Sequence, residues 1–221
     1  MSRKRVVRRK SNNTRWMIVG ALAALVIVAT LVYVSSNSIA APPPAPTNVT
    51  GEIWGNPKAP IVVEEYADLQ CPICARAYSE LHALAPQYMD TGKVQIVYHN
   101  FAFIGPESQL AAQGAECAND QGKFWDWVGY LFTHQAGENQ GAFSSGNLKG
   151  FATLIGGLNT TTFDACLDSG KYAAQVQSEL AEGDARGVQA TPTFFINGQK
   201  YAGLLSQDQF AALFDSLSPN P

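Results

Sequence analysis

Ile61-Val62-Val63-Glu64-Glu65-Tyr66-Ala67-Asp68-Leu69-Gln70-Cys71-Pro72-Ile73-Cys74 is the stretch on which the fold turns. An apolar run, Ile61 to Val63, precedes two cysteines spaced by two residues, and a helical pattern from Ala75 to Ala85 follows them. That context reads as a redox dithiol. If Cys71 stands at a helix N-terminus, the unsatisfied amide N–H groups and the positive end of the helix dipole stabilise its thiolate and lower its pKa. Cys71 is then the nucleophile. Cys74, one turn further in, is more buried and attacks the mixed disulfide as the resolving cysteine. The spacing by itself also fits half of a zinc site or a plain structural disulfide.

Ala59 to Tyr66 reads as a strand apolar on both faces, as expected at the centre of a sheet covered by helices on each side. Glu64 and Glu65 are anomalous there. If strand pairing holds to Tyr66, one of them points into protein, where a carboxylate is costly unless paired or protonated, so its pKa rises. Beside the dithiol such an acid could pass a proton to or from Cys74; a frayed strand end with both acids in water is the alternative. Tyr78, Leu81, Leu84 and Tyr88 recur at helical spacing as a core-facing stripe, and Pro86 kinks or ends that helix. Thr91-Gly92-Lys93 then turns into a second strand, Val94 to Tyr98. Strand, helix and strand imply a right-handed parallel crossover, with the dithiol at the carboxyl end of a central strand, where open α/β sheets place their sites.

From Pro106 to about Gly187 the pattern is helical, with segments at Glu107 to Asp120, Lys123 to Gln135, Asn147 to Leu154, Thr161 to Leu167 and Lys171 to Arg186. Cys117 and Cys166 both fall in this stretch. A structural disulfide between them is the favoured reading, against two free buried thiols or a second redox pair relaying electrons from the first. After the insertion, Gly187-Val188-Gln189-Ala190-Thr191-Pro192-Thr193-Phe194-Phe195-Ile196-Asn197-Gly198 runs through a strand into a turn. Asn-Gly favours a type I′ hairpin, pairing Thr193 to Ile196 with Lys200 to Leu204. Ser206 with Gln209 matches a capping box for a last helix that turns Phe210, Leu213, Phe214 and Leu217 to the sheet.

The two ends differ in charge. Residues 1–15 hold seven of the 15 basic residues and no acid, so the remaining 8 basic and 18 acidic residues give an acidic body of about −10 beneath the overall −3. A basic N-terminus could be an RNA-binding tail, but it abuts Trp16 to Val34, nineteen uncharged residues. The basic cluster therefore reads as a positive-inside flank rather than a nucleic-acid surface. Nineteen residues span roughly 28 Å, close to a bilayer's hydrocarbon thickness, whereas a cleaved signal has an apolar region of about 7 to 15 residues. An uncleaved signal anchor is expected; cleavage after Ala40, behind Ser38-Ile39, is the competing reading. Both export the rest of the chain to where disulfides persist. Residues 35–50 form a proline-rich linker that could extend roughly 50 Å.

At this point the chain resembles the thioredoxin fold, and within it the exported DsbA-like thiol:disulfide oxidoreductases, over roughly residues 50–219. The resemblance rests on the Cys-Pro-x-Cys after the first long strand, the helical insertion after the next, and Ala190 to Gly198. It implies an α/β thioredoxin domain at 51–219 with an inserted helical domain, preceded by an N-terminal transmembrane helix. It further implies that Pro192 is cis and faces the dithiol, so that the backbone of Thr191 pairs with an extended substrate peptide. Glu65, six residues before Cys71, matches the family's buried acid, which leaves Glu64 at the surface. The second cysteine pair resembles the bridge in the helical domain of membrane-anchored relatives. One departure matters: the most oxidising members carry histidine between the cysteines, and this chain has Ile73, which implies a less extreme potential. Thr191 occurs in isomerases as well as oxidases and leaves the direction open.

His82, His99 and His134 are too widely spaced to join the cysteines around zinc. Trp54, Phe124, Trp125, Trp127, Tyr130 and Phe132 read as core. The expected protein is a membrane-anchored, extracytoplasmic oxidase that needs no cofactor and acts on unfolded or newly exported cysteine-containing proteins. By the resemblance it is reoxidised by a quinone-linked membrane partner of the DsbB or VKOR type. A monomer is expected. Isomerase or reductase activity is the runner-up, and a peptide-binding or holdase module with merely structural cysteines is the reading of another class.

Overall fold

The computed structural model describes residues 17–19, 22 and 45–218. The chain forms two units, Met1–Ala41 and Pro42–Pro221. The basic tail and all of the expected anchor except residues 17–19 and 22, which are helical, lie outside the described residues. Among the described residues no helix is long and apolar enough to cross a membrane.

The second unit opens with β1 (Val49–Thr50) and β2 (Ile53–Gly55). β3 (Ile61–Ala67), α1 (Pro72–Leu84) and β4 (Val94–Asn100) follow. Five helices come next: α2 (Pro106–Asn119), α3 (Phe124–Thr133), α4 (Ser145–Ala152), α5 (Thr160–Asp168) and α6 (Ala173–Ala185). The chain then returns through β5 (Thr193–Ile196), β6 (Gln199–Ala202) and α7 (Gln207–Leu217). The strands form one mixed sheet in the order β1-β2-β4-β3-β5-β6. β3 lies parallel to β4 and antiparallel to β5, as a central strand buried except at Val62 and Glu64, which are half-buried, and Glu65 stands opposite both Tyr98 and Phe194.

Local chemistry explains the element ends. Pro72 occupies the first turn of α1, where its missing N–H is no loss, and α1 stops at Leu84, ahead of Pro86. Asn197 and Gly198 both have positive φ, 46° and 84°, as a type I′ turn requires. A two-residue turn pairs its flanking residues directly, so Ile196 meets Gln199 and the strand ends at Ala202, not at 200–204 as expected. The capping box at Ser206 and Gln209 is formed in both directions. The helices of the insertion start and stop close to their expected bounds. β1 and β2 are additions: they occupy the end of the stretch read as linker and the residues just after it, and Trp54 of β2 is buried in the core.

Between β4 and β5 the helical insertion has its own packing. A Cβ on Gly114 of α2 would come within 2.5 Å of Trp127. The absent side chain therefore lets α3 lay that indole flat against α2, where its Nε1 donates to the Ala111 carbonyl at 3.1 Å. Trp127 in turn packs on Phe163 of α5, ring centroids 4.7 Å apart. A disulfide joins Cys117 of α2 to Cys166 of α5, 49 residues apart in sequence. Closing a loop of that length restricts the unfolded chain by about 4 kcal/mol in the entropic model, and less is usually realised. The paired replacement Cys117→Ala/Cys166→Ala should lower unfolding free energy by about 2 to 4 kcal/mol in denaturant titrations, with exchange by Cys71 and Cys74 retained.

Candidate active site

Cys71 is the N-cap of α1, with extended backbone (φ −72°, ψ 118°). Its carbonyl accepts from Cys74 N and Ala75 N at 3.1 and 3.2 Å, and its own N–H donates to the Asp68 carbonyl. The first-turn amides thus converge where the Cys71 thiol lies. That thiol is pushed down to about 6, chiefly by the hydrogen bond from the Cys74 thiol, with burial opposing and the N–H groups of Cys74 and Ile73 adding to the fall. Cys74 has no exposed surface; burial first, and then the neighbouring Cys71 sulfur, drive its thiol the other way. One thiol is poised to ionise and the other to keep its proton. The pair is in its dithiol form.

Thr191-Pro192 is a cis peptide bond. It brings the Thr191 carbonyl against Cys71, whose Sγ donates to it at 3.5 Å. Pro192 leads straight into β5, and its carbonyl accepts from Gly203 N at 2.8 Å, which ties the loop to the end of β6. Ile73, between the cysteines, is exposed and brings no titratable group to the thiols.

Glu65 lies inside. Strand pairing continues to Ala67, so the alternation of β3 turns Glu65 inward and Glu64 to the opposite face. Glu65 is 2 % exposed, its Oε1 has no hydrogen-bond partner among the described residues, and burial raises its carboxyl to about 8. Its charge bears on Cys74, which places acid and resolving thiol within reach of each other's field. Glu64, expected at the surface, is half-buried and paired. Arg186 donates to both its oxygens, at 2.6 and 2.9 Å, and that pairing holds its carboxyl below the usual range against the opposing effect of burial.

A polar clasp around the dithiol was not foreseen. Asp68, buried three residues before Cys71, accepts from Gln70 N, Ile104 N and the Ser108 hydroxyl at 2.8, 3.0 and 2.6 Å. Gln70 donates to Ser108 at 2.8 Å and receives Asn139 N at 2.7 Å. Gln135 donates to the carbonyls of Leu69 and Cys71 at 2.8 and 3.0 Å. The helical insertion therefore grips both ends of the loop that carries the nucleophile. Asp68 had a signal, a lone acid between apolar Ala67 and Leu69 beside the dithiol; Gln135 had none. The histidines are dispersed: His82 bonds Tyr78, His99 stacks on Tyr66 and His134 on Tyr130.

A family model described as thioredoxin matches residues 47–216. The chain belongs to the thioredoxin family. Among solved structures it is similar to oxidised BdbD from Bacillus subtilis, with a TM-score of 0.70 at 26 % identity, over 78 % of this chain and 95 % of that one. DsbA of Wolbachia pipientis shares the fold. Among curated relatives, disulfide bond formation protein D of Bacillus subtilis is 28 % identical over 160 residues, 71 % of this chain and 72 % of the relative. The Na(+)/H(+) antiporter NhaA of Herminiimonas arsenicoxydans is 33 % identical over 153 residues, 68 % of this chain and 23 % of the antiporter. The chain spans about a quarter of the length of the antiporter relatives it matches. The likeness in fold to the DsbA structure covers 75 % of this chain.

The Glu65 carboxyl yields a stability test. Its folded pKa, about 8, lies above the ordinary value of 4.5. As pH rises past 4.5 the unfolded chain ionises and the folded one does not, so stability falls until about pH 8 and then levels. Glu65→Gln removes that slope. Relative to the parent, its unfolding free energy should gain on the order of 3 kcal/mol between about pH 4.5 and pH 7 in urea titrations; a difference independent of pH would show that Glu65 ionises freely in the folded state.

Proposed function

We propose that this protein is a thiol:disulfide oxidoreductase that works as an oxidase, passing the Cys71-Cys74 disulfide to exported, cysteine-containing proteins. The observation that carries the reading is the opposite displacement of two thiols one helical turn apart, Cys71 down to about 6 and Cys74 upward. A thiolate stabilised in the reduced state makes the disulfide the higher-energy partner and raises its tendency to oxidise others. A merely structural cysteine pair, as in a holdase, has no use for such a difference.

In the forward step a substrate thiolate attacks Cys71 Sγ. The new bond joins substrate sulfur to Cys71, the Cys71–Cys74 bond breaks, and its electron pair goes to Cys74, which takes a proton from Glu65. A second substrate thiolate then attacks the substrate sulfur of the mixed disulfide, and Cys71 leaves as thiolate. Helix amides hold that leaving group, so it departs readily. The Thr191 backbone beside Cys71 lies where an extended substrate strand would pair, with exposed Ile73 on the rim. Ile73 in place of a charged side chain favours a potential short of the most oxidising members.

The reduced dithiol needs reoxidation, for which a quinone-linked membrane protein of the DsbB or VKOR type is the proposed partner. Residues 16–34 are the proposed single-pass anchor, with the basic tail in the cytoplasm and the domain, as a monomer, outside. Isomerase or reductase action is the alternative, and the potential separates the reductase from the other two. Equilibration of residues 41–221 with glutathione buffers should give a Cys71-Cys74 potential of about −120 to −180 mV, lost in Cys71→Ser, while about −270 mV would assign a reductase. Separately, the full chain should sediment with membranes after an alkaline wash and lose that behaviour when residues 1–34 are deleted; a full chain that stays in the supernatant overturns the anchor.

A further inference from the structure

The proton step leaves a question of charge. Once Glu65 has given its proton to Cys74, its carboxylate stands in the core with no cation beside it among the described residues. Directly across the parallel strand pair is Tyr98. Residues in register on neighbouring strands emerge on the same face, so both side chains point toward α1 and α3. Tyr98 is 2 % exposed, and its hydroxyl, like Glu65 Oε1, has no hydrogen-bond partner among the described residues. Buried hydroxyls are seldom left in this condition, and one that persists calls for an explanation.

The surroundings of that hydroxyl supply one. Beyond burial, the charges that bear on Tyr98 are those of Cys74, Glu65, Asp68 and Glu179, in that order, and all of them keep its proton in place. Cys74 and Tyr78 face Glu65 from α1, Phe194 faces it from β5, and Asp68 lies in the following loop with its oxygens already taken. Tyr78 is the other nearby phenol, but its hydroxyl is engaged by His82 Nε2 at 3.0 Å. Tyr98 therefore holds the free phenol of this pocket. Its ring is fixed edge-on to Phe124 and Trp125, with centroids 5.5 and 5.9 Å away.

We propose that Tyr98 is a positioning residue for proton exchange between Glu65 and Cys74, its hydroxyl donating to the Glu65 carboxylate, directly or through one water, whenever that carboxyl is ionised. The proposal rests on the exchange reading of the dithiol. When a substrate thiolate opens the Cys71–Cys74 bond, the proton passes from Glu65 to Cys74 and Tyr98 turns its O–H to the carboxylate left behind. When Cys74 later attacks Cys71 of a mixed disulfide, its proton returns to Glu65, the Cys71–Cys74 bond forms, and the electron pair leaves on the substrate sulfur. Tyr98 keeps its own proton in both directions. A neutral donor suits this role better than a cation, which would hold the carboxyl ionised at all times and deprive it of the proton it must give.

Tyr98→Phe in the full chain keeps the ring and removes the donor. The Glu65 titration, followed by carboxyl carbon NMR of the reduced protein, should move up by about one pH unit, the loss expected when an ionised carboxyl loses one hydrogen bond. Resolution of a mixed disulfide by Cys74 should slow about tenfold near neutral pH, because the carboxylate fraction falls tenfold when the midpoint rises by a unit. In a Glu65→Gln background, Tyr98→Phe should add nothing. An unmoved Glu65 midpoint, or a slowing that persists unchanged in the Glu65→Gln background, overturns the proposal. The NMR midpoint needs no substrate, so an unmoved value would leave the exchange reading standing. A moved midpoint in a protein that exchanges no disulfide would overturn the exchange reading and, with it, the role in proton exchange.

Discussion

Strand β3 is hydrogen-bonded on both sides, parallel to β4 and antiparallel to β5, and this double pairing sets every other relation at the site. A strand paired on one side can fray at its end; one paired on both keeps its alternation to the last residue. Because pairing with β4 runs to Ala67, Glu65 is held on the covered face of the strand and is buried. The same pairing brings the start of β5, with Thr191 and Pro192 before it, beside the end of β3, where the chain turns into α1. Nucleophile, facing loop and buried acid thus come from one local arrangement of three strands. The helical insertion does not build this arrangement, but through Gln135 and the Asp68–Ser108–Gln70 clasp it holds the connecting loop in one conformation.

The proton affinities at the site follow a gradient. Cys71, at the helix N-terminus, lies at about 6 and Glu65 at about 8, with Cys74 above both. Near neutral pH the reduced site therefore holds two protons on its inner groups and a negative sulfur at its mouth. This is the distribution an exchange reaction needs: charge where a substrate disulfide or a reoxidant arrives, and a proton stored beside the sulfur that becomes the inner leaving group. The gradient has two physical sources. The hydrogen bond from the Cys74 thiol, with the helix amides after it, acts on the outer sulfur, while exclusion of water acts on the inner groups.

Much of this was legible in the residues, for identifiable reasons. The helix of the dithiol was readable because Pro72 and Pro86 bracket it. The hairpin was readable because Asn197-Gly198 specifies its turn, although the register was misjudged by one residue at its start. Trp54 was recognised as core but not its strand, since β1 and β2 have only two and three residues, punctuated by Gly51 and Gly55, and show no period. The Asp68 clasp joins residues 36 to 69 positions apart, and no local pattern records such a distance. Tyr98 read as the last residue of a strand; only the register of β3 with β4 sets it across from Glu65.

Glu64 and Glu65 show how far position outweighs residue type. They are the same amino acid, adjacent in one strand, and the alternation of the pleat sends them to opposite faces. On the α6 side Glu64 meets the Arg186 fork, itself laid over the ring of Phe195 at 4.2 Å, and its carboxyl is held ionised. On the α1 side Glu65 meets aromatic rings and a thiol, and its carboxyl is held protonated at neutral pH. Exchange of the two environments would leave the dithiol with a permanent anion beneath it, which would resist a negative Cys74 and have no proton to offer. A one-residue slip of β3 would do the same, since it turns every side chain to the other face. The register of β3 therefore governs the chemistry as well as the core, and the two requirements coincide because Ile61 and Val63, buried on the same face as Glu65, fix that register by their own packing.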